Sequence, residues 1–507
     1  MILKLILLIV FFAIMIGVGF YSRRHATNVN DFVLGGRTVG PWLTAFAYGT
    51  SYFSSVVFVG YAGQFGWKYG LSATWIGIGN AIIGSLLAWI VLGRRTRVMT
   101  NHLSSATMPE FFSKRFESHS LKISASVIIF VFLIPYTASV YNGLSRLFSM
   151  AFDVPYKVCI VVMALLTAVY VIAGGYMATA INDFIQGIIM ILGIIAVIAA
   201  VLNGQGGFIE AVGKLAQFES DIDVTLGQPG AFTSFFGPDP VNLLSVVILT
   251  SLGTWGLPQM VHKFYAIKDE QSIKTGTIIS TAFAVIVAGG SYFLGSFVRL
   301  FDDASLHNES GGMIFDAIKP HMLSTLPDIL VGIVVVLVLS ASMSTLSSLV
   351  LTSSSTMTLD LIKDTLVKNM SEKKQLVTMR VLIAFFIIVS VILALNPPTF
   401  IAQLMGISWG ALAGAFLGPF IYGLYWKKTT KISVWASFIV GIGITLANMF
   451  LNFTSPITAG ALAMLSSLVV VPLVSLFTPK LTEESTDAIF ECYTETVIVS
   501  KKKSLEP

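Results

Sequence analysis

Long apolar segments alternate with short polar connections along most of this chain. Crossing a bilayer as a helix takes roughly 17 to 25 apolar residues, and thirteen segments are long enough. They lie at about 2–21, 42–64, 71–92, 123–148, 156–173, 180–202, 241–262, 275–298, 329–352, 376–395, 399–426, 432–451 and 456–477. None has the alternation of apolar and polar positions that marks a transmembrane barrel. The pattern predicts an all-α integral membrane protein with thirteen transmembrane helices.

Composition supports the same class. Of the 507 residues, 55% are hydrophobic and 11% are charged, and the mean hydropathy is +0.83. Soluble globular proteins do not reach these values. The first apolar segment has no basic residue other than Lys4 and no small-residue cleavage site behind it. We therefore expect a retained helix and not a signal peptide.

The basic residues predict an orientation in the membrane. If all thirteen segments cross, 24 of the 31 lysines and arginines lie in connections on one side. Basic loops face the cytoplasm, so we expect the N-terminus outside, the C-terminus inside, and a location in the cell membrane. The net charge of +5 then reflects membrane orientation, and we expect no nucleic-acid partner.

Several kinds of chemistry lack the residues that they need. Cys159 and Cys492 are the two cysteines, too few for a disulfide framework or a metal cluster, and the six histidines lack ligand-like spacing. The absence of a P-loop motif excludes an ATP-driven pump. The sequence also has no evident pair of nucleophile and base, which an enzyme of that kind would need. We expect no organic cofactor and no required partner protein. A transporter driven by an ion gradient, a channel or a membrane-embedded enzyme remains, and the enzyme is the least favoured.

The ninth apolar segment contains the run SASMSTLSS, with six hydroxyl side chains within nine residues. On a helix, Ser344, Ser347 and Ser348 project from one face, and Ala341 and Thr345 lie on the adjoining strip. Neutral hydroxyl and carbonyl oxygens suit a hard cation of low charge, so Na⁺ is the first ligand to consider. The alternative is that these hydroxyl groups bond to their own helix and allow close helix packing.

Two apolar segments contain residues that interrupt a helix. In the second, AFAYGTSYFSSVVFVG, small and hydroxyl residues cluster between Gly49 and Ser55. In the seventh, VILTSLGTWGLPQMV, Pro258 removes a backbone donor and clashes with the carbonyl group four residues earlier. Secondary transporters bind ions and substrate at such breaks, in corresponding helices of two inverted repeats. The breaks are five segments apart, which predicts two five-helix repeats.

This arrangement predicts the organisation of the chain. A leading helix at 1–22 precedes the first repeat at 42–202 and the second, inverted repeat at 241–426. Two trailing helices at 432–477 and a cytoplasmic tail at 478–507 follow. The ninth segment would lie beside the second in the ten-helix core, so that the hydroxyl run faces the first break.

Asp183, in YMATAINDFIQGIIMILG, is the acidic residue closest to the interior of a predicted span. An ionisable group at membrane depth is costly and indicates function, with a cation as its partner. The alternative is an acid at the cytoplasmic end of the sixth span, where it would cap the helix N-terminus.

Four segments carry a family resemblance: DFVLGGRTVGPW at 31–42, TMPEFFSKRF at 107–116, AGGYMATAINDFIQG at 173–187 and ASMSTLSS at 341–348. Together they resemble the sodium:solute symporter family, which includes bacterial proline, pantothenate, sialic acid and sugar symporters. The resemblance implies a leucine-transporter-type fold with five-plus-five inverted repeats. It also implies sodium-driven uptake by alternating access.

The resemblance further implies two sodium sites. The principal site of the family falls on the carbonyl groups of Thr50, Phe53 and Ala341 and the hydroxyl groups of Ser344 and Thr345. A second site, present in some members, falls on Asp183, Ser344, Ser347 and Ser348. All of these groups are present, and Ser344 would be shared, which predicts two Na⁺ per solute.

The solute-binding residues follow partly from the same resemblance. In FLIPYTASVYNGLSRLF, Tyr136 matches an aromatic residue that contacts substrate in proline symporters of the family. The chain departs from them at Tyr52, where they have an acid, and around Trp255. The candidates for the pocket offer ring faces and neutral hydrogen-bonding groups: Tyr52, Ser55, Gln64, Tyr136, Thr254, Trp255 and Trp409. For each aromatic residue, ordinary helix packing is the alternative.

No basic residue lies within the second or seventh predicted span, so a substrate carboxylate would rest on helix N-termini and hydroxyl groups. The sequence predicts a sodium-coupled symporter that imports a small organic solute across the lipid bilayer, either an amino acid such as proline or a monocarboxylate. A sugar, sialic acid or pantothenate symporter is one alternative. A proton-coupled carrier of the same fold is another, although it would need an intramembrane acid in place of the hydroxyl run.

Overall fold

The computed structural model describes residues 2–22, 28–219, 229–309, 311–367 and 369–494, and its regular structure is helical, as predicted. The first half contains α1 (Ile2–Ser22), α2 (Val29–Leu34), α3 (Pro41–Tyr52), α4 (56–69), α5 (74–102), α6 (Met108–Arg115), α7 (His119–Phe152), α8 (Tyr156–Gly204) and α9 (Phe208–Leu215). The second half contains α10 (Pro240–Gly256), α11 (Pro258–Ala266), α12 (Glu270–Gly295), α13 (Phe315–Ser324), α14 (Asp328–Leu366), α15 (Glu372–Leu395), α16 (Ile401–Tyr425), α17 (Lys431–Leu451), α18 (Pro456–Phe477) and α19 (Glu483–Phe490).

Ten helices in the described part of the chain are long and apolar enough to cross a membrane, and the bent pair α10–α11 makes eleven. The predicted number of thirteen is not confirmed. The difference lies in the second and fifth predicted spans. The second is divided between α3 and α4, and α4 belongs to one apolar helical stretch with α5. The fifth gives a short apolar helix, Tyr156–Val169, ahead of a bend in α8.

Burial separates central helices from peripheral ones. In the apolar windows of α16 and α14, 89% and 78% of the residues are buried inside the protein, compared with 22% in α1 and 28% in α15. The outer helices expose apolar side chains such as Ile9, Phe385 and Phe477, which suits contact with lipid tails. Because α14 packs against α1, α3, α7, α8 and α15, the hydroxyl run lies at the centre of the protein.

The first predicted break is present between α3 and α4, at Phe53 and Ser54. Phe53 is extended, with φ −96° and ψ 115°, and α4 begins with a π-helical turn at Val56–Tyr61. At the far end of α4, Gly70 has φ +59°, and a Cβ atom there would lie 2.2 Å from the carbonyl oxygen of Phe232. This turn therefore requires glycine.

The second predicted break is also present, at Leu257. Leu257 is extended (φ −81°, ψ 123°), and α10 and α11 meet there at an angle of 45°. Pro258 occupies the first position of α11, where a helix does not use the backbone N–H. However, α11 continues to Ala266, four residues beyond the predicted end of the seventh span. This extension brings a charged residue into the broken helix.

Candidate functional site

The end of α3 contacts the hydroxyl run of α14 directly. Ser344 Oγ donates to Thr50 Oγ1 at 2.7 Å. Thr345 Oγ1 lies 3.4 Å from the carbonyl oxygen of Thr50, 3.3 Å from that of Ser51 and 3.1 Å from that of Ala341. These side chains are at most 1% exposed. The result is a compact, buried and uncharged group of oxygen atoms between the two helices.

The break in the first helix supplies the carbonyl groups of this cluster. Because the chain leaves the helix at Phe53, the last carbonyl groups of α3 lose the N–H donors that a further turn would provide. Phe53 itself lies at the break and is 1% exposed. Of the five residues predicted for the principal sodium site, Ser344 and Thr345 contact Thr50 across the two helices, and Thr345 contacts Ala341 within α14. The fifth, Phe53, lies at the adjacent break.

The residues predicted for a second sodium site lie next to this cluster. Ser348 Oγ is 2.8 Å from Ser51 Oγ, and Ser347 Oγ donates to the carbonyl oxygen of Ser344 at 2.8 Å. Asp183 is fully buried in α8, eight residues beyond the bend at Gly175. Its position inside the helix does not fit the alternative of an acid that caps a helix end.

Lys263 lies beside the predicted second sodium site, and the sequence pattern did not indicate it. It lies in α11, one residue beyond the predicted end of the seventh span, and is 2% exposed. Its Nζ atom donates to Ser348 Oγ at 3.0 Å, and lies 3.8 Å from Asp183 Oδ2 and 5.3 Å from the ring centre of Tyr176. The expectation that neither broken helix carries a deep basic residue is therefore wrong.

Three aromatic candidates for the solute pocket meet beside the first break. The ring centres of Tyr52 and Tyr136 lie 6.2 Å and 5.8 Å from that of Trp409, and all three side chains are at most 3% exposed. The Tyr136 hydroxyl lies near the side chains of Ser54 and Trp409, but among the described residues neither this hydroxyl nor the Trp409 indole N–H makes a hydrogen bond of good geometry. Buried polar groups are rarely left unpaired, so these two donors are available to a ligand.

Two further polar side chains near this aromatic group were not predicted. Tyr292 in α12 lies near Tyr52 and beside Asn80 in α5. The side chains of Tyr292 and Asn80 are close enough to interact, but within the described part of the chain neither the Tyr292 hydroxyl nor Asn80 Nδ2 makes a hydrogen bond of good geometry. Asn80 Oδ1 accepts a bond of 3.1 Å from Ser251 Oγ, which fixes the orientation of the amide. Each is a single polar residue in an apolar helix, a signal too weak to single out from the sequence.

Three other candidates bond to the backbone of neighbouring helices. Ser55 Oγ donates to the carbonyl oxygen of Val140 at 2.8 Å. Thr254 Oγ1 donates to that of Gly84 at 3.0 Å, and Trp255 Nε1 to that of Ile83 at 2.9 Å. These bonds join the broken helices to α7 and α5, so the three polar groups are already engaged.

Gln64 lies apart from the other candidates. It lines a separate cavity of about 220 Å³ between α4, α10, α16 and α18, which also contains Lys68, Asp239, Gln403 and Ser455. The Gln64 Oε1 atom has no hydrogen-bond partner among the described residues. The structure does not bring Gln64 together with the aromatic group.

Lys319 is a second buried lysine near the first broken helix. It lies in α13, between the spans α12 and α14, and is fully buried. Its Nζ atom donates to the carbonyl oxygen and the hydroxyl of Ser291, both at 3.2 Å, and lies 3.8 Å from the ring centre of Phe58. Burial lowers the pKa of Lys319 well below its ordinary value of 10.5, and no charged group in the described chain offsets this effect.

A family model and two individual relatives identify the same kind of protein. The sequence matches the Sodium:solute symporter family over residues 32–441. It is 30% identical over 444 residues to the osmoregulated proline transporter OpuE of Bacillus subtilis (strain 168), covering 86% of this chain and 87% of that protein. It is also 30% identical over 445 residues to sodium/proline symporter 2 of Staphylococcus saprophyticus, covering 86% and 84%.

Solved structures match the fold. A Na⁺-coupled sialic acid symporter, in a substrate-bound outward-open state, superposes with a TM-score of 0.76 at 17% identity, covering 95% of this chain and 99% of that one. A nucleobase-cation-symport-1 family transporter in a closed conformation gives a TM-score of 0.50 at 11% identity, covering 91% and 98%. This chain therefore shares the arrangement of its helices with these two solved structures.

Proposed function

Because this chain belongs to the sodium:solute symporter family, we propose that it imports L-proline or a closely related small solute together with Na⁺. The protein is a sodium-coupled symporter and not an enzyme. The proline specificity of the relatives at 30% identity favours proline among the possible solutes. A monocarboxylate, a sugar, sialic acid and pantothenate are the other solutes to test.

The principal Na⁺ site is proposed at the carbonyl groups of Thr50, Phe53 and Ala341 and the hydroxyl groups of Ser344 and Thr345. The observation that carries it is the position of Thr345 Oγ1, which lies 3.4 Å and 3.3 Å from the carbonyl oxygens of Thr50 and Ser51 before the break and 3.1 Å from that of Ala341 in its own helix. Oxygens about 3.4 Å apart form the edges of an octahedron with a metal–oxygen distance of about 2.4 Å, the range found for Ca²⁺, a cation of similar size. Neutral oxygens suit the lower charge of Na⁺.

Coupling follows from where this site lies. Na⁺ would bind the end of α3 and the middle of α14 at once, and so favour the conformation in which they are in contact. Each charge that moves inward across a potential of 100 mV supplies about 2.3 kcal/mol. The ion would thereby drive a solute that binds beside the same break.

The solute is proposed to bind at the aromatic group beside the Na⁺ site. The faces of Tyr52 and Trp409 would pack against an apolar ring such as that of proline. The Tyr136 hydroxyl and the Trp409 indole N–H would donate to its carboxylate, because neither makes a hydrogen bond of good geometry within the described protein. Ser55, Thr254 and Trp255 would border the pocket, and Gln64 would lie on the route to it.

Two further proposals concern architecture. We place the five-helix repeats at 42–202 and 241–426, a division supported by the two breaks, at Phe53 and Leu257, each in the first helix of its repeat. We place the N-terminus outside the cell membrane and the C-terminus in the cytoplasm. The distribution of lysine and arginine supports that orientation.

Uptake of radiolabelled L-proline into proteoliposomes tests the proposed function. We expect accumulation with an inward Na⁺ gradient and none with an equal K⁺ gradient. A labelled monocarboxylate, sugar, sialic acid and pantothenate should be tested in parallel. Na⁺-dependent uptake of one of these in place of proline would change the proposed solute and leave the Na⁺ coupling intact. Equal uptake with a proton gradient and no Na⁺ would favour the proton-coupled carrier and overturn the proposal.

A further inference from the structure

Lys263 places a positive charge among the residues predicted to hold a second Na⁺. We propose that its ammonium group takes the place of that ion, so that the protein carries one Na⁺ per solute. The inference rests on the principal Na⁺ site proposed above and concerns the number of ions. It replaces the prediction of two Na⁺ per solute.

The ammonium group already makes contacts that a second Na⁺ would make. Its Nζ atom donates to Ser348 Oγ at 3.0 Å and lies 3.8 Å from Asp183 Oδ2. Both side chains belong to the predicted second site. A third member, Ser347, donates to the carbonyl oxygen of Ser344 at 2.8 Å within its own helix. That bond uses only the proton of Ser347, so the obstacle to a second Na⁺ is the ammonium group itself, which lies against Ser348 and Asp183.

Charge balance leads to the same conclusion. Lys263 and Asp183 are 2% and 0% exposed, so neither charge is balanced by bulk water. A buried carboxylate needs one compensating positive charge, and the ammonium group supplies it. A Na⁺ added at this place would put two cations beside one carboxylate, leaving one positive charge uncompensated. Binding a second ion is therefore unfavourable while Lys263 is present.

The ammonium group also connects the helices that a coupling ion would hold together. Lys263 lies in α11 and Asp183 in α8, and their shared neighbour Ser348 lies in α14. Ser348 Oγ is in turn 2.8 Å from Ser51 Oγ in α3. The chain of contacts thus includes both broken helices. A cation attached to α11 is present in every transport cycle, whereas a Na⁺ must bind and leave.

Counting bound ions tests the proposal directly. Equilibrium binding of ²²Na⁺ would be measured on the purified full-length protein without solute, for the unaltered chain, Lys263→Met and Lys263→Met/Asp183→Asn. We expect one ion for the unaltered chain. Lys263→Met should bind two, because the Asp183 carboxylate then lacks its cation, and the double variant should return to one.

Lys268→Met is the matched control for the loss of a lysine. Its side chain is 44% exposed and lies 3.9 Å from Asp269, away from the buried pair. This variant should bind one ion, like the unaltered chain.

A second measurement does not depend on any variant folding. For a solute without net charge, a tenfold change in its gradient shifts the reversal potential by about 59 mV when one charge moves per cycle and by about 30 mV when two move. With L-proline as the probe in proteoliposomes, we expect the larger shift. The smaller shift, two ions bound to the unaltered chain, or a Lys263→Met protein that binds one ion would each overturn the proposal.

These outcomes distinguish a failure of the proposed principal Na⁺ site from a failure of the role proposed for Lys263. If the unaltered chain binds no Na⁺, or if Thr345→Ala binds it equally tightly, the principal site is wrong and both proposals are overturned. If the unaltered chain binds two ions and Thr345→Ala weakens one of them, the principal site stands. In that case the role assigned to Lys263 alone is overturned.

Discussion

Ser344 and Thr50 share a hydrogen bond of 2.7 Å between their hydroxyl groups, with Ser344 as the donor. The bond joins the middle of α14 to α3, three residues before the helix breaks. Thr50 directs its own proton to the carbonyl oxygen of Phe46, also at 2.7 Å. The lone pairs of the Thr50 hydroxyl are therefore directed towards α14, and the pair makes the ion site depend on close contact between these two helices.

Thr345→Ala should weaken Na⁺ binding. The Na⁺ concentration for half-maximal L-proline uptake should rise about tenfold, because the loss of one oxygen ligand costs on the order of 1.4 kcal/mol. The maximal rate at saturating Na⁺ should change little. Thr277→Ala is the control, since Thr277 Oγ1 bonds within its own helix to the carbonyl oxygen of Ile273 at 2.8 Å. Equal Na⁺ dependence in both variants would favour the packing interpretation of the hydroxyl run.

Ser344→Ala should have a similar effect on Na⁺ dependence, and Ser342→Ala should have none. Both serines are buried in α14, two residues apart. Ser344 bonds to Thr50, whereas the Ser342 hydroxyl has no hydrogen-bond partner among the described residues. Removing an unpaired buried hydroxyl costs no bond, so Ser342→Ala should match or slightly exceed the stability of the unaltered chain. Transport titrated against Na⁺ and a melting curve in detergent would check both expectations.

Tyr136→Phe should raise the KM for L-proline by about ten- to a hundredfold, because a lost hydrogen bond to a charged group costs about 1.5–3 kcal/mol. The half-maximal Na⁺ concentration and the melting temperature should stay nearly constant, because this hydroxyl makes no hydrogen bond of good geometry in the described protein. Tyr141→Phe, in the same helix, removes another buried hydroxyl that lacks a hydrogen bond of good geometry, and is the control. A KM that rises equally in both variants would place the effect in helix packing and not in solute binding.

Removing one charge of the Lys263–Asp183 pair should destabilise the protein more than removing both. Asp183→Asn leaves a buried ammonium without its carboxylate, and we expect a loss of about 3–5 kcal/mol in the free energy of unfolding. Lys263→Met/Asp183→Asn removes both charges and should recover most of that loss. A double-mutant cycle on melting temperatures in detergent measures the coupling. Strictly additive losses would mean that the two side chains do not compensate each other.

Lys319 should make stability depend on pH. Its pKa in the folded protein lies well below 10.5, so between these two values the unfolded chain binds a proton that the folded protein does not. Stability should therefore rise as the pH increases towards 10.5. Lys319→Met should remove this slope and raise the melting temperature at neutral pH, since it replaces a buried amino group, which is costly to bury in either protonation state, by an apolar side chain of similar length. Lys114→Met, at a half-exposed lysine paired with Glu110, should keep the slope.

Features with a local physical cause could be predicted from the sequence. Pro258 cannot continue a helix, and the structure breaks one residue before it. Hydroxyl residues at helical spacing must share a face, and Ser344, Thr345 and Ser348 do meet α3. Such effects depend on a few neighbouring residues, so they hold whatever the rest of the chain does.

Features that depend on packing between distant parts of the chain could not be predicted from the sequence. A boundary set by hydropathy stops at the first charged residue, which is why the predicted seventh span ended just before Lys263. A buried partner, Asp183, lies more than two turns beyond the bend in α8, removes that penalty and lets α11 continue. Asn80 and Tyr292 likewise became candidates because Tyr292 lies near Tyr52 and Asn80 lies beside Tyr292. Their spacing in the sequence does not predict that they are neighbours.

The two broken helices are held to their neighbours by different kinds of contact, and we expect one of these contacts to separate more easily than the other. Neutral hydroxyl and carbonyl groups connect α3 to α14, each bond contributing about 1 kcal/mol. A buried ion pair connects α11 to α8, and separating it would expose two charges to an apolar interior. During transport, the hinge at Phe53 should therefore open more readily than the contact at Lys263. Movement would be concentrated at one broken helix, while the other serves as a fixed pivot.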